Sequence, residues 1–270
     1  MTANDRKILL SFDVEEFDLP NDFGGVVDES EQLSVGREAF ERTLDLLDRI
    51  NIPATLFLTG RIAEHCADLV RDAAGTHEIA SHGVRHDRFE MQDYAESRRM
   101  LESCSGTTVT GFRMARLQPV DVEALRSAGY DYDSSENPIR LPGRYDNRHL
   151  PRRPRIEDEL VRIPISTTPR LRIPLFWLAF RHMPRPILRA SLRRTLDADG
   201  HLVLFFHPWE LLELRRSRHP MPRVVRHGGG SRLARRIEVE LGRLRDRATF
   251  AHMKDLADSI RARATPARDD

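Results

Sequence analysis

Cysteine is scarce in this 270-residue chain, which has only Cys66 and Cys104, both in helix-like stretches. A secreted scaffold held by disulfides would carry more. Lysine is scarce too: Lys7 and Lys254 are the only two among 43 basic residues, and the rest are arginine. Such a bias first reflects the coding composition of a genome, although guanidinium groups also pair well with phosphate. Neither sign of charge is in excess, with 43 Lys and Arg against 42 Asp and Glu, so net charge points to no nucleic-acid partner. No run approaches the roughly 20 apolar residues that span a bilayer. The polar opening from Met1 to Lys7 does not read as a signal peptide, because an apolar strand pattern starts at once at Ile8. Internal repeats and low-complexity tracts are absent. Together these absences lead to the expectation of a reduced, cytoplasmic setting.

Apolar residues make up 40% of the chain, enough for a full core in one large α/β domain. Ile8 to Phe12 is a short apolar run ending in Asp13, the mark of a buried parallel strand. Residues 37–50 carry Phe40, Leu44 and Leu47 at helical spacing. Ala54 to Leu58 reads as a second strand, followed by a helix stripe of Ile62, Cys66 and Leu69 or Val70. Glu78 to Ala80, Val109 to Phe112 and Tyr130 to Asp133 read as strands. Helices fall over Ala95 to Leu101 and from near Pro119. Residues 136–175 read as long loops with one strand near Val161 to Ile165. A helix over 186–197 precedes the strand Leu202 to Phe206, which ends in His207. A helix carrying Leu233, Ile237, Leu241 and Leu244 follows, then a short strand near Phe250 and a helix with Leu256 and Ile260. Residues 1–265 form one domain in this reading, and 266–270 a polar tail. Strand and helix alternate throughout, so the sheet is parallel, open or closed, and functional groups are expected at the carboxyl ends of strands.

Four polar strand ends fit that rule. Asp13, Glu15 and Glu16 follow the first strand. Alternation allows residues 13 and 15 to share a side, where one carboxylate can bind a metal and the other take a proton from water. His82 and His86, four residues apart, can reach one ion, and two histidines with one carboxylate suit a hydrolytic Zn2+ or similar ion. Arg113 ends a strand and could hold a carboxylate base in place. His207 leaves a very apolar strand and could protonate a leaving amine near neutral pH. Each feature has an ordinary explanation when taken alone: an acidic loop, a chance histidine pair, a surface ion pair, a core histidine.

Their joint order resembles the polysaccharide deacetylase, or NodB-like, family (carbohydrate esterase 4 type). The matching pieces are Ser11–Glu15, Ala54–Phe57, His77–His86, Gly111–Arg113, Gly129–Ser135 and Phe206–Glu210, spread from about Ile8 to Ile260. The resemblance implies a distorted, incomplete (β/α) barrel. It also implies a metal-dependent hydrolase that removes an acetyl or formyl group from an amino sugar. By that likeness Asp13 is the catalytic base, Arg113 its orienting residue, His207 the acid, and His82 and His86 ligands of a divalent ion, Zn2+ first. Many relatives have two adjacent aspartates after strand one. Here Val14 follows Asp13, which makes Glu15 the third ligand and Glu16 the alternative. Many relatives show Ala-Pro after the arginine, where this chain has Met114, Ala115 and Arg116. Arg116, Trp209 and Tyr145 are the candidate substrate contacts.

Two other readings stand beside this one: a ring-opening amidohydrolase of the same fold, and an inactive sugar-binding module. A cytoplasmic enzyme would meet a precursor of a surface glycan, either a nucleotide sugar or a sugar on a lipid phosphate. Residues 173–180, flanked by Arg170, Arg172, Arg181 and Arg185, are therefore either core that closes the barrel or a patch receiving a lipid tail and its phosphate at the membrane face.

Overall fold

The apolar run after Lys7 becomes the central strand of a sheet, and its alternation decides what lies inside. The computed structural model describes residues 5–141 and 145–264. In chain order, β1 (Lys7–Val14), α1 (Glu29–Ile50), β2 (Thr55–Leu58), α2 (Gly60–His65), α3 (Ala67–Ala73), β3 (Glu78–Ser81), α4 (Asp93–Ser105), β4 (Gly111–Phe112), α5 (Val122–Ser127) and β5 (Tyr132–Asp133) form the first half. The second half is β6 (Arg140–Leu141), β7 (Tyr145–Asp146), β8 (Arg155–Glu157), β9 (Leu160–Arg162), α6 (Trp177–His182), α7 (Arg185–Asp199), β10 (His201–Phe206), α8 (Arg223–Arg226), α9 (Ser231–Gly242), β11 (Thr249–Ala251) and α10 (Met253–Ala264). The proposed tail at 266–270 lies outside the described residues.

The main sheet runs β10-β1-β2-β3-β4-β5-β9-β8, parallel except for the β8–β9 hairpin, and β11 pairs with the first half of β1. It curls until the chain just past β9 meets β10: Ser166 N donates to Val203 O at 3.1 Å, and Val203 N donates to Ser166 Oγ at 2.8 Å. The barrel is thus closed on that side by one residue, not by a strand ladder.

Successive side chains on a strand face opposite ways. Ile8, Leu10 and Phe12 of β1 pack against the surrounding helices, while Leu9 joins Phe57, Ala80, Tyr132, Val161, Val203 and Phe205 in the barrel interior. The inward row of β1 is therefore Leu9, Ser11 and Asp13, turning polar toward the mouth. The same step of two carries Ala80 to His82 and Phe205 to His207. At the other end of the barrel α10 is the plug. Met253 N donates to Thr55 Oγ1 and Lys254 N to Glu78 Oε2, and Met253 and Ala257 are buried.

Several expectations need correction. α1 starts eight residues before residue 37, because the Asp28 side chain accepts from Glu31 N and caps it where the apolar spacing is weak. The predicted single helix around Cys66 is two, broken where Cys66 leaves helical geometry (φ −121°, ψ 32°). Residues 136–175 hold four short strands, not one, since two hairpins of two or three residues leave little alternation to read. In the 173–180 stretch Leu175, Phe176, Ala179 and Phe180 are buried, and Phe176 packs on Phe205 at 4.7 Å, so those side chains are core. Arg181 is buried as well, which removes it from any phosphate-binding rim.

Gly111 has no room for a side chain: a Cβ there would lie 2.1 Å from the Tyr132 ring and hydroxyl. Overpacking a filled core typically costs about 1–3 kcal/mol. Gly111→Ala should therefore lower unfolding free energy by about 2 kcal/mol in urea titration. An unchanged midpoint would mean that the barrel interior accommodates the methyl group.

Candidate active site

Arg113 stands just past β4, fully buried, at the centre of the barrel mouth. Its Nη1 donates to Asp13 Oδ1 at 2.5 Å and to Ser11 Oγ at 3.0 Å, and its Nη2 donates to Ser134 Oγ at 3.0 Å. Nε donates to Ser134 O at 3.2 Å, and the Phe57 ring lies 4.0 Å from the guanidinium carbon. A planar group held on so many sides cannot rotate, so Asp13 is fixed through its Oδ1.

Glu15 continues the inward row of β1 and meets two histidines. Its Oε2 lies 3.4 Å from His82 Nε2 and 3.2 Å from His86 Nε2, and the three ligand atoms all fall within 4.8 Å of one another. Both rings are oriented from behind. His82 Nδ1 faces Arg113 O at 2.8 Å, and His86 Nδ1 faces Asp18 Oδ1 at 2.7 Å. With a proton on each Nδ1, both Nε2 lone pairs point to one spot, as in metal-binding histidines with carbonyl or carboxylate partners. Glu15 Oε1 accepts from Trp209 Nε1 at 3.1 Å, whereas Oε2 is buried without a hydrogen bond. An orphaned carboxylate oxygen beside two aimed imidazole nitrogens fits a divalent cation. Gly36 of α1 permits this packing, since a Cβ there would lie 3.0 Å from Glu15 O.

The electrostatics agree with the geometry. Burial pushes the Glu15 carboxyl up, but the charge of His86 and the nearby His82 and His207 outweigh it, and it titrates far below its usual range. Burial pulls His86 down, but Glu15 and Asp18 win and carry it up to about 9 in the metal-free protein. Glu16, the alternative ligand, accepts from Thr59 Oγ1 at 2.7 Å and is absent from the His82–His86 cluster. Burial raises its pKa, the hydrogen bond from Thr59 notwithstanding.

His207 lies one step past Phe205, with 17% of its side chain exposed. Pro208 starts a tight 3-10 turn over Pro208–Leu211 that brings Glu210 back. Glu210 Oε1 then lies 2.9 Å from His207 Nδ1 and accepts from His207 N at 2.9 Å. Burial lowers the His207 pKa, but the Glu210 hydrogen bond and the charges of Glu15, Glu210 and Asp13 raise it overall. Trp209 stacks on the His207 ring at 4.8 Å, and Trp177 meets both rings edge-on at 6.1 and 6.2 Å. Arg181 Nη1 stands 3.7 Å from Glu210 Oε2, both fully buried.

The fold thus brings Asp13, Glu15, His82, His86, Arg113, His207 and Trp209 to one mouth. The Trp209 indole is buried with its N–H engaged by Glu15, so it holds the carboxylate and leaves that donor unavailable to a sugar. Arg116 donates to His86 O at 2.8 Å and pairs with Asp22 at 3.0 Å and Asp18 at 3.5 Å, bracing the loop behind His86. Tyr145 belongs to the two-residue strand β7, and its side chain lies outside the described residues. Asp18, Glu210, Ser11 and Ser134 were not foreseen as site residues. Only Glu210 had a readable signal, a carboxylate three residues after a histidine with proline between.

Two measurements follow from this arrangement. Binding needs neutral imidazoles, and His86 is protonated below about 9 without metal. Titration of the metal-free protein with Zn2+ at pH 7 in buffers of differing ionisation enthalpy should show release of about one proton per ion. Asp18→Ala should weaken metal affinity by about 10–100-fold. Unaltered affinity would remove Asp18 from the site.

Comparison with known proteins agrees with the geometry. Residues 2–132 match the family model described as polysaccharide deacetylase, and residues 134–258 match a domain of unknown function, DUF3473. No curated protein matches the chain. Solved structures with the same fold include a protein assigned as a polysaccharide deacetylase from Mycobacterium smegmatis, at 22% identity over 99% of this chain and 96% of that one, with a TM-score of 0.68. A second so assigned, from Pseudomonas aeruginosa PAO1, is 17% identical over 94% and 91%, with a TM-score of 0.65. The allantoinase Puue is 18% identical over 96% and 91%, with a TM-score of 0.64. Residues 2–132 belong to the polysaccharide deacetylase family, hydrolases acting on carbon–nitrogen bonds other than peptide bonds, and the chain has the NodB-like (β/α) barrel.

Proposed function

We propose that this enzyme is a metal-dependent N-deacylase of an amino sugar, and that Glu15, His82 and His86 hold its divalent ion. The buried, unbonded Glu15 Oε2 between two aimed Nε2 atoms carries this reading. Zn2+ is the first choice for two imidazoles and a carboxylate, and such an ion would supply Lewis acidity at the acyl carbonyl and at the attacking water.

The chain's own groups account for the proton traffic. Asp13, immobilised by Arg113 through Oδ1, takes the proton from the water that attacks the acyl carbon. His207, held at Nδ1 by Glu210, presents Nε2 to the departing nitrogen and protonates it as the C–N bond breaks. Trp177, half-buried beside His207 and Trp209, gives a sugar ring an apolar edge to rest against. The substrate is an acetylated or formylated amino sugar, carried on a nucleotide or a lipid phosphate as the precursor of a surface glycan. Two free, buried cysteines suit a cytoplasmic site of action. A ring-opening reaction on a cyclic amide would use the same groups, and the allantoinase likeness, at 18% identity, extends only to the fold.

The deciding experiment couples metal analysis of purified protein to release of acetate and formate from N-acylated amino sugars, with a cyclic ureide alongside. Turnover of the cyclic amide alone would overturn the deacylase reading. Asp13→Asn should keep the metal and lose about 10²–10⁴-fold in rate; loss of the ion instead would exchange the roles of Asp13 and Glu15. His207 must be protonated to act, so kcat should fall as pH rises through its raised pKa. Glu210→Gln removes the carboxylate that favours the charged ring, and should move that alkaline limb to lower pH. A limb that stays in place would separate it from His207.

A further inference from the structure

The segment 214–230 departs from the charge balance of the chain: it holds Arg215, Arg216, Arg218, Arg223 and Arg226 and no acidic residue. It is built rigidly. Leu212, Leu214, Met221 and Val225 pack with Phe17 and Trp209, the residue that holds Glu15. Arg181 donates to Val225 O and His227 O, Arg226 to Arg215 O and Ser217 O, and Arg218 and His219 both reach Glu31. Arg215, Arg216 and Arg223 are left exposed, without a side-chain ion pair among the described residues. Apolar side chains stand exposed beside them. Val224 is 48% exposed; across the contact between Pro220 and Gly25, so are Val26 at 87% and Phe23 at 39%. That second loop begins at Asp18, the partner of His86, so both loops border the mouth of the site.

We infer that this rim docks the enzyme on an anionic membrane surface, with the mouth facing lipid-borne substrate. Unpaired guanidinium groups meet lipid phosphates, and the flanking valines and phenylalanine enter the headgroup layer. A nucleic-acid backbone would reward the arginines but not the exposed aliphatic side chains. Among the described residues no helix is long and apolar enough to cross a membrane. The inference rests on the deacylase reading only for what the membrane presents, an N-acylated amino sugar on a lipid phosphate.

Co-sedimentation with vesicles tests it. The full chain should bind phosphatidylcholine vesicles containing about 30 mol% phosphatidylglycerol, ignore pure phosphatidylcholine, and be released by high salt. Each surface arginine contributes about fivefold, so replacing Arg215, Arg216 and Arg223 by Gln should weaken binding on the order of 100-fold. Val224→Ser should weaken it further. The triple variant should deacylate a water-soluble N-acetyl amino sugar at the wild-type rate. Wild type that ignores anionic vesicles, a triple variant that binds them equally, or tighter binding to an RNA oligonucleotide than to vesicles would overturn the proposal. Vesicle binding that persists with no deacylation of either a soluble or a lipid-phosphate-linked N-acylated amino sugar would support the docking surface and count against the function proposed above.

Discussion

A guanidinium with no exposure to solvent and a carboxylate 2.5 Å away hold the mouth of this barrel together. Burying Arg113 would be prohibitive without its partners, and the partners come from four parts of the chain: Ser11 and Asp13 on β1, Phe57 on β2, Ser134 after β5, and Met253 at the start of α10, whose Sδ lies 3.9 Å from Nη2. The strands must therefore stand in one register for the charge to be tolerated. The backbone oxygen of Arg113 also accepts the ring nitrogen of His82. One residue thereby links the base candidate to the metal candidate, and the plug at the bottom of the barrel to the chemistry at the top.

The same logic repeats one layer out. Each group of the site has its second polar atom engaged: His86 by Asp18, His207 by Glu210, and Glu15 by Trp209. Arg116 braces Asp18, and Arg181 lies behind Glu210. The atoms left over, Glu15 Oε2 and the two Nε2 nitrogens of His82 and His86, converge. Such preorganisation lets a site bind an ion and position a water without reorganising at the moment of reaction. Arg116 and Leu117 take left-handed backbone angles, φ 55° and 53°, which non-glycine residues seldom adopt. Strain of this kind persists where the surroundings over-determine the conformation, here the Arg116 contacts to Asp18, Asp22 and His86.

Much of this was legible from the amino-acid order alone. Period-two alternation in Leu9, Ser11, Asp13 and Glu15 dictates that these side chains share a face, and apolar runs ending in Asp13 and His207 mark strand ends where functional groups gather. The spacing of His82 and His86, their order relative to Arg113 and His207, and the alternation of strands with helices follow from local pattern and need no coordinates. What only the tertiary structure decided is everything that depends on long-range approach. Alternation favours Glu15 over Glu16 as the ligand, but only the turn after β1 shows that Glu15 meets both histidines while Glu16 goes to Thr59. The 173–180 stretch reads first as core, with a surface patch as the alternative, and whether Phe176 meets Phe205 or solvent depends on how the barrel closes. Asp18 precedes His86 by 68 residues and Trp209 follows Glu15 by 194, distances over which no periodicity operates. Such pairings arise when the sheet curls and brings separate strand ends to one mouth.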